Sequence, residues 1–457
     1  MKPRPKSIGI SSKRLSELRA DFKKVERVLA ATPPVNKRFA IATEEFIARQ
    51  QKVYAALKDA GFEVGFVFSD EHYDGDVPYL GGNTNISIEQ VAGVIGKTGF
   101  HIIAGLEGGY IADQLAPRAK AIVHKVEMLK LADEQYPIQA EKVEDVIADA
   151  AGGRMPDRIA LLTPRQVVPA ALVEYLEKMF GRENVVDAQT IYYKIKYEKS
   201  DAEMRLLRDA SVIADAMLRA MLAVLRPGLL ETQVAAWAWF VGRELGAEET
   251  GFDVMVGANV ANRTLIGKAL NRPVRRNDYV HLGVSPKRDG LTACIRRSVI
   301  AGEPNKRQRY WAGLVEEAYR VGYDAYVKVA RENLPARLQE QALVDFFASK
   351  SAEVSRLIGK PIRLEQQKPY TGTHNAGYTE CQEFYGAITL DSHEPLGRQI
   401  VTMLDVALRG VASRWDNVVI PGFDYWVVEN TLGKFDKRVV QFNQVPNNAQ
   451  PLVGRGI

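Results

Sequence analysis

Apolar and polar positions switch between helical and strand periods along the chain, and the switches divide it into an opening helix, a mixed α/β segment and a second mixed segment from Lys199 onward. Over residues 12–30, Leu15, Leu18, Val25, Val28 and Leu29 recur among many charges, which predicts an amphipathic helix ended by Pro33-Pro34. A second helix is signalled by Thr43 as N-cap, by Phe46, Ile47, Val53, Tyr54 and Leu57 on one face, and by Gly61 as its stop. It leads into a strand over 62–68. Residues 91–95 and 100–104 read as strands across a Gly-Lys-Thr-Gly turn. Residues 121–124 and 158–162 read as another strand pair, with helices over 143–151 and 167–180. Such alternation predicts an α/β layer.

The strongest punctuation follows. Ser200 and Glu203 form a capping box that opens a helix with Met204, Leu207, Ala210, Ile213, Met217, Met221 and Leu225 on its apolar face, closed by Pro227-Gly228. Further helices are predicted over 232–245, 307–333 and 338–358. Three regions result: a helical extension over 1–40, an α/β domain over 41–198 and a larger domain over 199–457. The glycines of Val77-Pro78-Tyr79-Leu80-Gly81-Gly82 fit a turn at a strand end. Gly105-Leu106-Glu107-Gly108-Gly109 lacks the lysine and spacing of a phosphate loop and is read as another turn.

Composition narrows the function classes. With 457 residues, 46% of them hydrophobic, the chain has material for a substantial core. No apolar run reaches membrane-spanning length, and Met1-Lys2-Pro3-Arg4-Pro5-Lys6 precedes no apolar signal core, so a cytoplasmic protein without a membrane partner is expected. A formal charge of +5, spread without a basic run, argues against nucleic acid while favouring anionic small molecules mildly. Cys294 and Cys381 are too few for a disulfide framework and are expected as thiols that lie near one another.

The candidate chemistry lies in the last region. Asp278-Tyr279-Val280-His281-Leu282-Gly283 and Asp289-Gly290-Leu291-Thr292-Ala293-Cys294-Ile295-Arg296-Arg297 read as a hairpin around Pro-Lys-Arg-Asp-Gly. After it come Thr373-His374-Asn375-Ala376-Gly377, then Ile400-Val401-Thr402-Met403-Leu404-Asp405, then Val427-Val428-Glu429-Asn430-Thr431. In this order and at these separations the segments resemble the metal-site segments of the pita-bread hydrolases, the family of creatinase, prolidase, aminopeptidase P and methionine aminopeptidase. The likeness is continuous from Lys199 to Ile457. The tyrosine-leucine-glycine stretch at Tyr79 resembles a signature of the amino-terminal domain of creatinase and prolidase. The resemblance implies an α/β (α+β) fold class: an amino-terminal creatinase-like domain followed by a pita-bread domain, working as a homodimer.

In that family two aspartates, two glutamates and a histidine hold two divalent ions that activate a bridging water. By resemblance the first aspartate falls on Gly283 and the second on Cys294. The histidine is kept as His374, the first glutamate becomes Asp405, and the last is kept as Glu429. A glycine offers no ligand, so the ordinary two-metal centre is not expected. A metal-free pocket is favoured, in which His374, Asp405 and Glu429 handle protons, because a site with every protein ligand filled leaves little room for catalytic water. A single zinc, manganese or iron ion on Cys294, His374, Asp405 and Glu429 is the alternative.

The proton-handling histidine that the family places after its Gly-x-Asn segment is absent, the region reading Ala261-Asn262-Arg263-Thr264, and Thr264 becomes a candidate substrate contact. The family's second histidine maps to Cys381. That thiol is read either as a nucleophile activated by His374, with Glu380 or Glu383 nearby, or as a small replacement for a bulky group. Arg297 matches an arginine the family keeps and is expected in a structural ion pair. Arg296 is read as turning to the opposite strand face, and either arginine could clamp a substrate carboxylate. His281, two residues before Gly283, shares its strand face and is a candidate substrate contact.

Three functions are compatible with these residues. One is a metal-independent, creatinase-like hydrolase opening an amide, amidine or lactam C–N bond in a small, anionic molecule. Another is a metal-dependent Xaa-Pro-type peptidase with an atypical mononuclear site. The last is a catalytically inactive binding module.

Overall fold

The structure is a computed structural model and describes residues 10–84, 86, 89–131, 139–381, 383–414 and 416–457. The Met1–Lys6 stretch lies outside them. The opening helix, Ser12–Ala31, packs Val25 and Val28 against the later helix Asp201–Val224. The helix Thr43–Asp59 starts on Thr43 itself, with Ala42 at the N-cap and no side-chain cap. Glu44 and Glu45 stand in its first turn instead, where their charge complements the exposed N–H groups.

The first sheet has six strands: β1 (Gly65–Ser69), β2 (Val91–Gly96), β3 (Gly99–Ala104), β4 (Ile122–Lys125), β5 (Ile159–Leu161) and β6 (Val185–Asp187), in the order β4-β3-β2-β1-β5-β6. β2 runs antiparallel to β1 and β3, whereas β4 lies parallel to β3 and β5 parallel to β1. The expected pairing of 121–124 with 158–162 is therefore wrong, since three strands separate them. Each run is apolar enough to be a strand, but an apolar run does not name its neighbour. The helix Val143–Ala151 matches its expected bounds, while Pro169 holds the N-cap of Ala170–Phe180 three residues later than expected. Around Tyr79 the chain makes a one-turn helix, Asp76–Leu80, closed by Gly81 and by Gly82 at φ +79°, rather than a strand end.

The Ser200–Glu203 capping box is present with both of its hydrogen bonds, and it opens Asp201–Val224. That helix and Glu231–Leu245 cover one side of a second sheet through Val280, Leu282, Ile295 and Val299. The remaining strands are β7 (Glu249–Thr250), β8 (Met255–Ala258), β9 (Tyr279–Val284), β10 (Pro286–Arg288), β11 (Leu291–Thr292), β12 (Ile295–Ile300), β13 (Thr373–Asn375), β14 (Gln399–Arg409), β15 (Tyr425–Phe435) and β16 (Arg438–Gln441). The large sheet runs β13-β14-β15-β12-β9-β8, with β16 added to β15, and β11-β10-β7 form a small sheet beside it. Lys306–Glu332 and Arg337–Ile358 pack against it through Leu404, Val406 and Val428. The architecture is thus the expected α/β arrangement of a smaller layered unit followed by a larger one.

Buried ions tie the two units together. At the tip of the β10–β11 turn, where Asp289 has φ +50° and Gly290 φ +78°, the Asp289 carboxylate accepts from Arg118 at 2.5 Å and from the Ile41 N–H at 2.7 Å. Arg49 stands 3.1 Å from Glu203 and donates to the Tyr378 hydroxyl at 2.8 Å. Lys196 reaches Asp76 at 2.8 Å and Glu383 at 3.2 Å, and all three side chains are almost wholly buried. Removing one member of such a cluster leaves the others charged and unpaired in the interior. Lys196→Met is expected to destabilise the protein by about 3–5 kcal/mol, read from equilibrium urea denaturation, with a change below about 1 kcal/mol contradicting the cluster's role.

Candidate functional site

The register of the large sheet sets one row of directly opposed residues across four strands: Gly283 on β9, Arg296 on β12, Glu429 on β15 and Asp405 on β14. Directly opposed residues in antiparallel strands project to the same face, so these four positions share one face of the sheet. Arg296 lies in it. Counted by twos from Cys294, the strand turns Arg296 toward the site and Arg297 away, which corrects the expected orientation. Arg297 instead donates to the carbonyls of Arg296 at 2.8 Å, Glu429 at 2.6 Å and Val445 at 2.8 Å, and to the Asn430 side chain at 2.8 Å. It anchors the C-terminal segment and, among the described residues, makes no ion pair.

Gly283 is what makes room for Arg296. A Cβ on Gly283 would stand 3.0 Å from Arg296 Cγ and 3.3 Å from its Cδ, so the arginine's aliphatic stem lies across the bare glycine. The guanidinium then reaches along the row. Its Nε is 3.0 Å from Glu429 Oε2, and its Nη2 is 3.5 Å from Asp405 Oδ1, donates to the Tyr370 hydroxyl at 2.7 Å and contacts the Tyr425 hydroxyl. Tyr370 donates in turn to Asp405 at 3.0 Å and lies 2.6 Å from the Tyr425 hydroxyl. Two of the arginine's nitrogens therefore face protein groups, and the expected carboxylate clamp is engaged within the protein.

His374, on β13, brings Nε2 to 3.6 Å from Glu429 and 3.7 Å from Glu380, while Nδ1 donates to the Asn375 carbonyl at 3.1 Å. Burial alone would lower its pKa, but Glu429, Glu380 and Asp405 outweigh that and raise it to about 9. Burial pushes the Asp405 carboxyl up to about 7 against the pull of Arg296. Glu429 is fully buried yet held below the usual carboxylate range, because Arg296 and His374 overcome its desolvation.

The two thiols flank the same acids. Cys294 is buried, with its sulfur grouped with Glu380 and Glu429, and burial followed by the charge of Glu429 raises its pKa well above normal. Cys381 is exposed as a residue, but its sulfur is surrounded by protein beside Glu380, and both effects raise it. Neither is a thiolate near neutral pH, and among the described residues His374 pairs with carboxylates rather than sulfur. The nucleophile reading of Cys381 is not supported by this geometry. Glu383 pairs with Lys196, away from His374.

Thr264 is not buried with the Arg296 row. It sits exposed in the turn Asn259–Thr264, where its hydroxyl donates to the Ala261 carbonyl at 2.8 Å. Its buried neighbour Asn262 is closer to the site strands, since Asn262 Cα would stand 3.5 Å from a Cβ on Gly257 of β8. His281 is buried as expected, with its ring edge-on to Tyr425 at 5.5 Å. Tyr370, Tyr425 and Asn262 escaped the sequence reading. Tyr425 alone had a usable signal, an even spacing from Glu429 that sets both on one strand face.

A two-ion centre does not fit this donor set. One of its positions has no side chain, another carries a sulfur in place of a carboxylate, and a guanidinium already stands among the acids. A single ion finds a smaller set, since one donor atom each of His374, Asp405 and Glu429 lie within 4.8 Å of one another, as do those of Cys294, Glu380 and Glu429.

Residues 205–378 match the profile of metallopeptidase family M24. An uncharacterized peptidase YqhT of Bacillus subtilis is 25% identical over 251 residues, covering 53% of this chain and 64% of that one. A Xaa-Pro dipeptidase of Pyrococcus horikoshii is 25% identical over 218 residues, covering 47% and 60%. The chain thus spans less than two thirds of the length of either relative. Among solved structures, the X-Pro aminopeptidase of Thermotoga maritima superposes with a TM-score of 0.69 at 17% identity, over 88% of this chain and 99% of that one. The prolidase of Pyrococcus horikoshii gives 0.67 at 14% identity, again over 88% and 99%.

The raised pKa of His374 has a defined consequence. A folded-state value above the ordinary 6.5 supplies stability that is complete below about pH 6.5 and lost as pH rises through about 9, in total about 3 kcal/mol. The unfolding free energy of the wild type relative to His374→Gln is expected to shrink by about that amount between pH 6 and pH 10, and a constant difference would contradict the assignment. The matched segment 205–378 thus places this part of the chain with metallopeptidase family M24, and the two-unit architecture is the fold shared by the prolidase and X-Pro aminopeptidase structures on which it superposes.

Proposed function

We propose that the chain is a hydrolase opening a C–N bond, in an amide, amidine or lactam, of a small molecule without a bridging metal pair. The observation that carries this reading is the Gly283–Arg296–Glu429–Asp405 row, in which a fixed guanidinium holds the place among the acids where the family resemblance would put cations. In this reading protonated His374 delivers a proton to the departing nitrogen, and Asp405, with its pKa near 7, takes one from the attacking water. Arg296 supplies positive charge beside the reacting carbon without leaving its place. Because that charge is already balanced by Glu429 and Asp405, the reading does not require an anionic substrate. A homodimer is taken as the working assembly, as the resemblance implies, and no nucleic-acid or membrane partner is assigned. No helix of the described residues is long and apolar enough to cross a membrane.

The matched relatives favour a second reading over the first: a Xaa-Pro-type dipeptidase using one divalent ion. His374, Asp405 and Glu429 group their donor atoms tightly, and relatives named Xaa-Pro dipeptidase are among those matched. Here these three residues would hold the ion, which would polarise the peptide carbonyl.

A panel of small amides, lactams, ureas and Xaa-Pro dipeptides separates the two. The metal-independent reading predicts turnover that survives prolonged EDTA treatment and falls about 10²–10⁴-fold in His374→Ala. Activity abolished by EDTA and restored by manganese or zinc would replace it with the second reading.

A further inference from the structure

Beyond the arginine, the same sheet face and the turn packed on it hold two buried polar side chains that have no hydrogen-bond partner among the described residues. His281 stands two residues from Gly283 on β9, so its ring shares the face of the Arg296 row. It is fully buried, and neither ring nitrogen has a hydrogen-bond partner among the described residues. Tyr425, against which the ring packs, carries the hydroxyl that Arg296 contacts. Directly opposite His281 on β8 is Gly257, and the chain folds back over that glycine: a Cβ there would meet the Ala261 carbonyl oxygen at 3.2 Å and Asn262 Cα at 3.5 Å. Asn262 is also fully buried, and neither its amide oxygen nor its amide nitrogen has a hydrogen-bond partner among the described residues.

A buried polar group without a partner lowers stability, and interiors seldom tolerate one, let alone two on either side of a bare glycine. Packing gives no reason for them here. A ligand does. Burial and the positive charge of Arg296 hold the His281 pKa well below its ordinary value, so the ring is neutral and offers one donor and one acceptor. Asn262 offers a carbonyl acceptor and two N–H donors. The complement of this pair is an uncharged group with both a carbonyl and an N–H, whereas an ammonium ion would face the positive charge of Arg296 and a carboxylate would be a third anion beside a guanidinium already balanced by Glu429 and Asp405.

We propose that Asn262 and His281 form a subsite for an uncharged amide-type group of the substrate, a carboxamide, lactam or ureido group, held next to the Arg296 row. The subsite takes its place in the reaction from the C–N hydrolase reading, but its occupancy does not depend on turnover.

The full-length protein is titrated by calorimetry and by ligand-observed NMR with 2-pyrrolidinone and N-methylurea, and in parallel with acetate and methylammonium. The neutral probes are expected to bind saturably and at least tenfold more tightly than the charged ones. Asn262→Leu and His281→Phe should each weaken the neutral probes at least tenfold while leaving the thermal midpoint equal or higher, because each removes an unpartnered polar group from the interior. A merely structural role would lower the midpoint instead. In the wild-type protein, independently of how the variants fold, the ring ¹⁵N resonances of His281 should shift on adding 2-pyrrolidinone. Absence of saturable binding, charged probes binding as tightly as neutral ones, unshifted His281 resonances, or both folded variants binding as the wild type does would each overturn the proposal. Loss of hydrolysis in His374→Ala speaks only to the hydrolase reading, so failures of the two are separable.

Discussion

One buried cation between carboxylates governs the rest of this site. Arg296 is almost wholly withdrawn from water, and a guanidinium that deep in a protein persists only where anions and hydrogen-bond acceptors surround it. Glu429, Asp405 and the Tyr370–Tyr425 pair supply them, and each of those groups is buried in turn on account of the arginine. The absence of a side chain at Gly283 is the geometric condition, since the stem of Arg296 occupies the space a ligand there would need. The lowered pKa of Glu429 and the raised pKa of His374 follow from the same arrangement, one through attraction to two cations and the other through attraction to several carboxylates.

The scaffold around this row is ordinary for its fold and carries the site by register. A one-residue slip between β9 and β12 would turn both Gly283 and Arg296 away from each other's faces, so the ladder that fixes the pairing also fixes the chemistry. Strong local signals secure that ladder. The Asp289-Gly290 turn has the positive φ values that short hairpin connections need, and its carboxylate is held by Arg118 and by the Ile41 N–H from the first unit. The smaller unit thus braces the hairpin that presents the site.

Much of this was legible in the sequence where the signal was local. The capping box at Ser200 and Glu203, the hairpin ending in Cys294 and the His374, Asp405 and Glu429 segments are short patterns whose chemistry dictates their structure. Other features were set by distant partners. The pairing of β4 with β3 and of β5 with β1 depends on crossovers that apolar runs do not encode. Arg296 was misplaced because the face was counted from Arg297 rather than from Cys294. Tyr370 and Asn262 lie in irregular segments before β13 and after β8, where no periodicity shows which way a side chain points.

The central claim is that a protein cation already occupies the space among the acids. Calorimetric titration of EDTA-dialysed wild-type protein with manganese and with zinc tests it most directly. With Arg296 in place, neither ion should show a site tighter than about millimolar, a free energy of only about −4 kcal/mol. Stoichiometric binding of two ions per chain at micromolar concentration would contradict the account.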